Sequence, residues 1–134
     1  MPVGGEGVMT VMPDASSARA RLRVDVVPAR EWLMVELRGE LDRFTVAALL
    51  DRVALLMTRE APPRVALELS QVSICDSSGL NALVRLWRRT GAAGGELVLL
   101  RPQPRLASSL ALTEIDRHIR VVETLPDPSQ GPAP

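Results

Sequence analysis

Asp76-Ser77-Ser78-Gly79-Leu80 sets two hydroxyls behind a carboxylate, directly ahead of an apolar helical pattern. A hydroxyl in that place can accept a phosphoryl group. Leu80, Leu83, Val84 and Trp87 recur at i, i+3, i+4 and i+7, while Arg85, Arg88 and Arg89 take other faces and Gly91 supplies a stop. A helix is therefore predicted to begin at or just after Ser77. Its first backbone N–H groups have no intrahelical partner and its dipole is positive at that end, so a phosphate on Ser77 would be accommodated and open to solvent. The same residues suit a plainer role, because Asp and Ser before an apolar run are ordinary N-cap chemistry. A serine that caps a helix when unmodified can also carry a charge switch when phosphorylated. From these five residues both roles stay open.

The elements that must position this segment follow from periodicity. Leu22 to Val26 alternates, Pro28-Ala29-Arg30 reads as a turn, and Trp32 to Leu37 returns, which predicts a hairpin whose second strand ends at Gly39. Asp42 then stands where a helix N-cap belongs. Val46, Leu49, Leu50, Val53, Leu56 and Met57 mark one helical face, and Pro62-Pro63 closes the helix. Arg64 to Leu69 reads as a third strand, followed by a linking stretch from Ser70 to Cys75. Glu96 to Leu100 makes a fourth strand parallel to it through the Ser77 helix. Pro102 and Pro104 open a short helix with Leu106 and Leu110 inward, and a last strand falls near Ile119 to Val122. The predicted order is β-β-α-β-α-β-α-β, an α/β fold with one mixed sheet and helices packed mainly on one face. Residues 1–20 and 125–134, rich in Gly, Ser, Ala, Met or Pro, are expected to be disordered around a single domain over 21–124.

Composition removes several classes of chemistry. With 134 residues the chain supports one domain with a real core. Its sixteen basic residues are all arginine and balance sixteen acids, and it has three aromatic residues, so neither a basic field nor a stacking platform for nucleic acid is present. No lysine is available for a P-loop, a Schiff base or a kinase-type ATP site. Cys75 and His118 are single, which leaves no disulfide framework or metal cluster within one chain. Cys75 is read as a small core residue, Trp32 and Trp87 as core aromatics, the three arginines after Val84 as a solvated face, and His118 is given no role. No apolar run has the length of a membrane span and no signal pattern opens the chain, so a cytoplasmic location without membrane insertion is expected.

Gly39-Glu40-Leu41-Asp42 at the end of one strand, Asp76-Ser77-Ser78-Gly79-Leu80 after the next, and Gly94-Gly95-Glu96-Leu97-Val98-Leu99 opening a third form a specific series. From about Leu22 to Val122 it resembles the STAS family, in particular the small bacterial anti-sigma factor antagonists. The resemblance implies that Ser77, the first hydroxyl after the aspartate, is the phosphorylated residue, with Ser78 its neighbour. It implies further that Asp42 and Asp76 flank that hydroxyl and that Asp42, Asp76, Ser77, Ser78 and Gly79 form the partner-binding surface. The implied partner is an anti-sigma factor serine kinase of the histidine-kinase-like ATPase type. Bound by the unphosphorylated protein, it frees a sigma factor; it then spends ATP to modify Ser77 and is released, and a metal-dependent serine phosphatase resets the switch. ATP and magnesium belong to the partner, so no cofactor is expected and the chain is read as non-enzymatic.

Two departures from the family pattern bear on partner choice. Glu123-Thr124-Leu125-Pro126 leads into a proline-rich tail where a final helix is frequent, and Thr113-Glu114-Ile115-Asp116 replaces a frequent Thr-Gly-Leu-Asp turn. An alternative reading is a STAS docking module of a stress-signalling assembly or of a lipid transporter. A Ser77 nucleophile with His118 as base would need a Gly-x-Ser-x-Gly elbow, which the segment lacks.

Overall fold

A computed structural model describes residues 21–57 and 62–127. Five strands, β1 (Leu22–Ala29), β2 (Trp32–Leu41), β3 (Arg64–Cys75), β4 (Glu96–Leu100) and β5 (Arg120–Val122), form one sheet in spatial order β1-β2-β3-β4-β5. β1 and β2 are antiparallel, and every later pairing is parallel. The parallel pairs are joined by α1 (Val46–Leu56), α2 (Ser77–Ala92) and α3 (Pro104–Leu112), with a 3-10 turn at Ile115–Arg117 before β5. The mixed α/β order predicted from periodicity is the one observed.

Alternation along the strands decides which face the helices cover. Val35 and Leu37 of β2, Val65, Leu67 and Leu69 of β3, and Leu97 and Leu99 of β4 point to one side. There they join Leu49 and Val53 of α1, Leu83 and Leu86 of α2, and Leu106 and Leu110 of α3 in a single buried cluster. The opposite face holds a smaller cluster of Trp32, Ala66 and Val98, with Val122 and Leu125 packed on it. Trp32 belongs to this second cluster, and its indole N–H donates to the Pro126 carbonyl at 2.9 Å. No helix follows β5 among the described residues; irregular chain with Leu125 and Pro126 packs on Trp32. Of the segments 1–20 and 125–134 expected to be disordered, residues 1–20 and 128–134 lie outside the described residues, while Leu125 packs against the Trp32 cluster and Pro126 bonds to Trp32.

Several element boundaries differ from the periodic reading, each for a local reason. The hairpin turns at Arg30-Glu31, with Arg30 at φ 57°, so Pro28 and Ala29 stay paired in β1. Gly39 does not end β2: at φ 121° it bends the strand, and a side chain there would lie 2.0 Å from the Arg21 carbonyl oxygen. Beyond this bend Glu40 and Leu41 pair with Ile74 and Cys75, so the stretch read as a link, Ser70 to Cys75, is the second half of β3. α1 ends at Leu56, ahead of the two prolines, and residues 58–61 lie outside the described residues. α2 continues past Gly91 to Ala92 and the chain turns at Gly94, φ 77°. Its buried stripe is Gly79, Ala82, Leu83, Leu86 and Thr90, rotated from the predicted one, so Leu80, Val84 and Trp87 form its margin.

Candidate functional site

The C-terminal ends of β2 and β3 are neighbours in register, Leu41 opposite Cys75, and both chains leave the sheet at that edge. There the Asp76 amide donates to the Leu41 carbonyl at 3.2 Å, which ties the Gly39–Asp42 segment to the Asp76–Leu80 segment. Gly79 completes the join. A β-carbon at Gly79 would stand 2.6 Å from the Leu41 oxygen and 2.7 Å from the Cys75 sulfur, so only glycine lets the first turn of α2 press against both strand ends.

Asp76 is the N-cap of α2. Its backbone is extended, its Oδ1 accepts from the Gly79 amide at 3.0 Å, and its carbonyl accepts from the Leu80 amide at 2.9 Å. Ser77 is thereby the first residue of the helix and is relieved of capping. It is exposed, and its hydroxyl makes no hydrogen bond among the described residues. Ser78, beside it, is half-buried and Gly79 is buried. The Ser77 hydroxyl thus stands in solvent at the positive end of a sixteen-residue helix.

Asp42 faces the same edge from β2 but does not cap α1 as its position predicted; the residue before that helix is Thr45. Instead Asp42 Oδ1 accepts from the Phe44 amide at 2.9 Å, closing a turn one step earlier, and its amide donates to Thr45 Oγ1 at 3.0 Å. The buried Thr45 hydroxyl donates to the Glu40 carbonyl at 2.8 Å, fixing the turn to the strand it leaves. The other Asp42 oxygen is paired with the Arg21 guanidinium, whose Nε also reaches Glu40 at 3.3 Å. Arg21 and Arg43 both stack on the ring of Phe44, at 5.2 and 4.6 Å from its centroid, and that ring is 58% exposed.

All five predicted positions, Asp42, Asp76, Ser77, Ser78 and Gly79, therefore lie on one edge of the sheet. Arg21, Phe44 and Thr45 were not singled out by motif. The hairpin carried a signal for one of them: counting outward from the Arg30-Glu31 turn places residue 21 opposite Glu40, an opposite-charge pair.

Cys75 is half-buried behind the edge, and burial, aided by the neighbouring Asp76 carboxylate, pushes its thiol up to about 12. That suppresses thiolate chemistry. His118 packs its ring against Trp87 at 5.9 Å, beside a cleft of about 410 Å³ that lies at the far end of α2 from Ser77. Among the described residues no group of three His, Cys, Asp or Glu side chains is placed to hold a metal ion. No described helix is long and apolar enough to cross a membrane.

Comparison with known proteins gives this edge its context. A Thermotoga neapolitana protein named, on homology, as an anti-sigma factor antagonist is 29% identical over 62 residues, 46% of this chain. The match spans 55% of that relative's length. The crystal structure of a Thermotoga maritima protein described in the same terms superposes with a TM-score of 0.69 at 21% identity, covering 76% of this chain and 87% of the other. SpoIIAA, a Bacillus cell fate determinant solved in its phosphorylated form, superposes with a TM-score of 0.58 at 21% identity over 75% of this chain and 89% of its own. At these identities the two structures speak for the fold. The family model for the STAS domain matches residues 22–127, nearly the whole described chain, and the protein belongs to the STAS domain family.

Proposed function

We propose that this STAS protein is an anti-sigma factor antagonist whose binding is switched off by phosphorylation of Ser77. Unmodified, it binds a serine-kinase anti-sigma factor and frees a sigma factor for transcription. The kinase transfers a phosphoryl group from ATP to the Ser77 oxygen, the hydroxyl proton leaves, ADP is released, and the complex separates. A serine phosphatase restores the hydroxyl. The chain itself supplies the acceptor and the surface around it and performs no catalysis.

The observation that carries this reading is the division of labour between Asp76 and Ser77. Asp76 satisfies the helix terminus, and the exposed Ser77 hydroxyl is left with no structural task. A phosphate there brings about −1.5 to −2 charges to an edge that already holds Glu40, Asp42 and Asp76. Covering that charge with a partner requires desolvating it beside carboxylates, and each ~1.4 kcal/mol of that cost weakens binding tenfold. A few kcal/mol release a partner held at micromolar affinity.

Incubation with kinase-type anti-sigma factors from the same genome and ATP, followed by phosphosite mapping, tests the proposal. Modification is expected at Ser77 alone, and Ser77→Ala is expected to bind without being modified. Modification of Ser78 would refute the site. Binding to a large assembly or a permease, with no kinase engaged, would establish the docking-module reading in its place.

A further inference from the structure

We propose that Arg21 is the intramolecular sensor of a phosphate on Ser77, exchanging its carboxylate partners for the phosphate and so releasing the Asp42–Phe44 turn. The inference deepens the proposed function and rests on Ser77 being the modified residue. Arg21 precedes β1 and lies at the same end of the sheet as the C-termini of β2 and β3, because β1 runs antiparallel to both. Adjacent strands are about 4.8 Å apart, so the β1 and β3 ends are separated by roughly 10 Å. The Arg21 side chain already crosses half of that span to reach Asp42, and Asp42 directly follows Leu41, whose carbonyl holds the Asp76 amide.

Among the described residues Arg21 is the cation paired with carboxylates at this edge, and it holds two of them, Glu40 and Asp42. The Arg21–Glu40 pair is partly open to water, at 35% and 37% exposure, whereas the Asp42 side chain is 13% exposed. The exposed pair with Glu40 is worth little and is the easier one to leave; the pair with Asp42 is given up only for a more strongly charged acceptor. A phosphate offers a guanidinium two or three oxygens at nearly twice the charge of a carboxylate, in a geometry suited to bidentate pairing. When Arg21 turns toward it, Asp42 loses the ion pair on Oδ2, and the Phe44 ring loses one of its two stacked guanidiniums. The turn whose amide is held by Asp42 Oδ1 and whose aromatic ring stands exposed then changes shape. Charge added at Ser77 is in this way converted into a rearranged partner surface on the neighbouring strand end.

Arg43 is the competing cation. It also stacks on Phe44, and among the described residues it forms no ion pair, so it discriminates between a specific exchange and a general attraction of positive charge.

The test uses full-length protein carrying phosphoserine at position 77 by genetically encoded incorporation, and reads the Arg21 Nε–Hε and Phe44 amide signals by NMR. Because no kinase is used, a kinase that ignores Ser77 would defeat the proposed function and leave this result standing on its own. Phosphorylation is expected to shift both signals in the wild-type chain. In Arg21→Gln the Phe44 amide is expected to be displaced beforehand and phosphorylation to move signals only from residues 75–80. Arg21→Lys keeps the charge without the fork and is expected to show a smaller Phe44 shift. Wild-type shifts confined to residues 75–80 would overturn the proposal. So would a Phe44 shift that persists unchanged in Arg21→Gln or that disappears in Arg43→Gln alone.

Discussion

The backbone amide of Asp76 donates to the backbone carbonyl of Leu41 at 3.2 Å, and this one bond joins the two sequence segments that distinguish the chain. It draws the cap of α2 against the end of β2, and Gly79 makes the approach sterically possible. The presentation of Ser77 follows from that join.

Gly79→Ala sets a methyl group against the Leu41 oxygen and the Cys75 sulfur at 2.6 and 2.7 Å. One of those contacts is rigid backbone, so α2 must withdraw. A loss of about 1–3 kcal/mol in urea denaturation is expected, against a change within about 0.5 kcal/mol for the outward neighbour Ser77→Ala.

Asp76→Ala removes the acceptor that holds the Gly79 amide. The expected cost is about 1 kcal/mol, and Asp76→Asn, which keeps the acceptor, is expected to restore most of it. Equal losses in the two variants would mean that the carboxylate charge, and not the cap, matters at this position.

The Cys75 thiol is held neutral by burial, with its pKa raised from 9.0 to about 12. Alkylation by iodoacetamide is expected to be slow at pH 8 and to keep accelerating above pH 10, where an unstructured thiol has levelled off. The linkage has a definite sign. Between the unfolded value and about 12 the unfolded chain releases its thiol proton first, so stability is full below pH 9 and declines as pH rises through that window. Cys75→Ala is expected to flatten that part of the decline.

Glu114 adopts φ 62°, a left-handed conformation, at the turn where the family pattern often has glycine. A side chain there is strained, and glycine adopts the same backbone freely at some entropic cost. Glu114→Gly is expected to stabilise the protein by up to about 1 kcal/mol, read as a rise in Tm.

The sequence disclosed the architecture through its alternating and helical periods, since both measure the burial of one face. β4 and the inward pair Leu106 and Leu110 stand where those periods put them. It was less informative where tertiary contact overrides local preference. Gly39 looks like a strand end because glycine punctuates strands, yet here it bends β2 so that Arg21 can pass closely and pairing with β3 can resume. The buried stripe of α2 was misplaced because Trp87 outweighs Ala82 and Gly79 in hydrophobicity, although small residues are the ones that fit against the strand ends. Resemblance to the STAS family, carried by the two motifs, brought Asp42, Asp76 and Ser77 into view together. It gave no account of the Arg21–Asp42–Phe44 cluster, which depends on hairpin register and on a turn inserted before α1.

In the proposed function a charge on Ser77 controls partner binding. Calorimetric titration of the cognate anti-sigma factor with the unmodified protein and with the Ser77-phosphorylated protein, at one ionic strength, measures it directly. Micromolar or tighter binding is expected for the unmodified form and at least a tenfold loss on phosphorylation. Equal affinities for the two forms would contradict it.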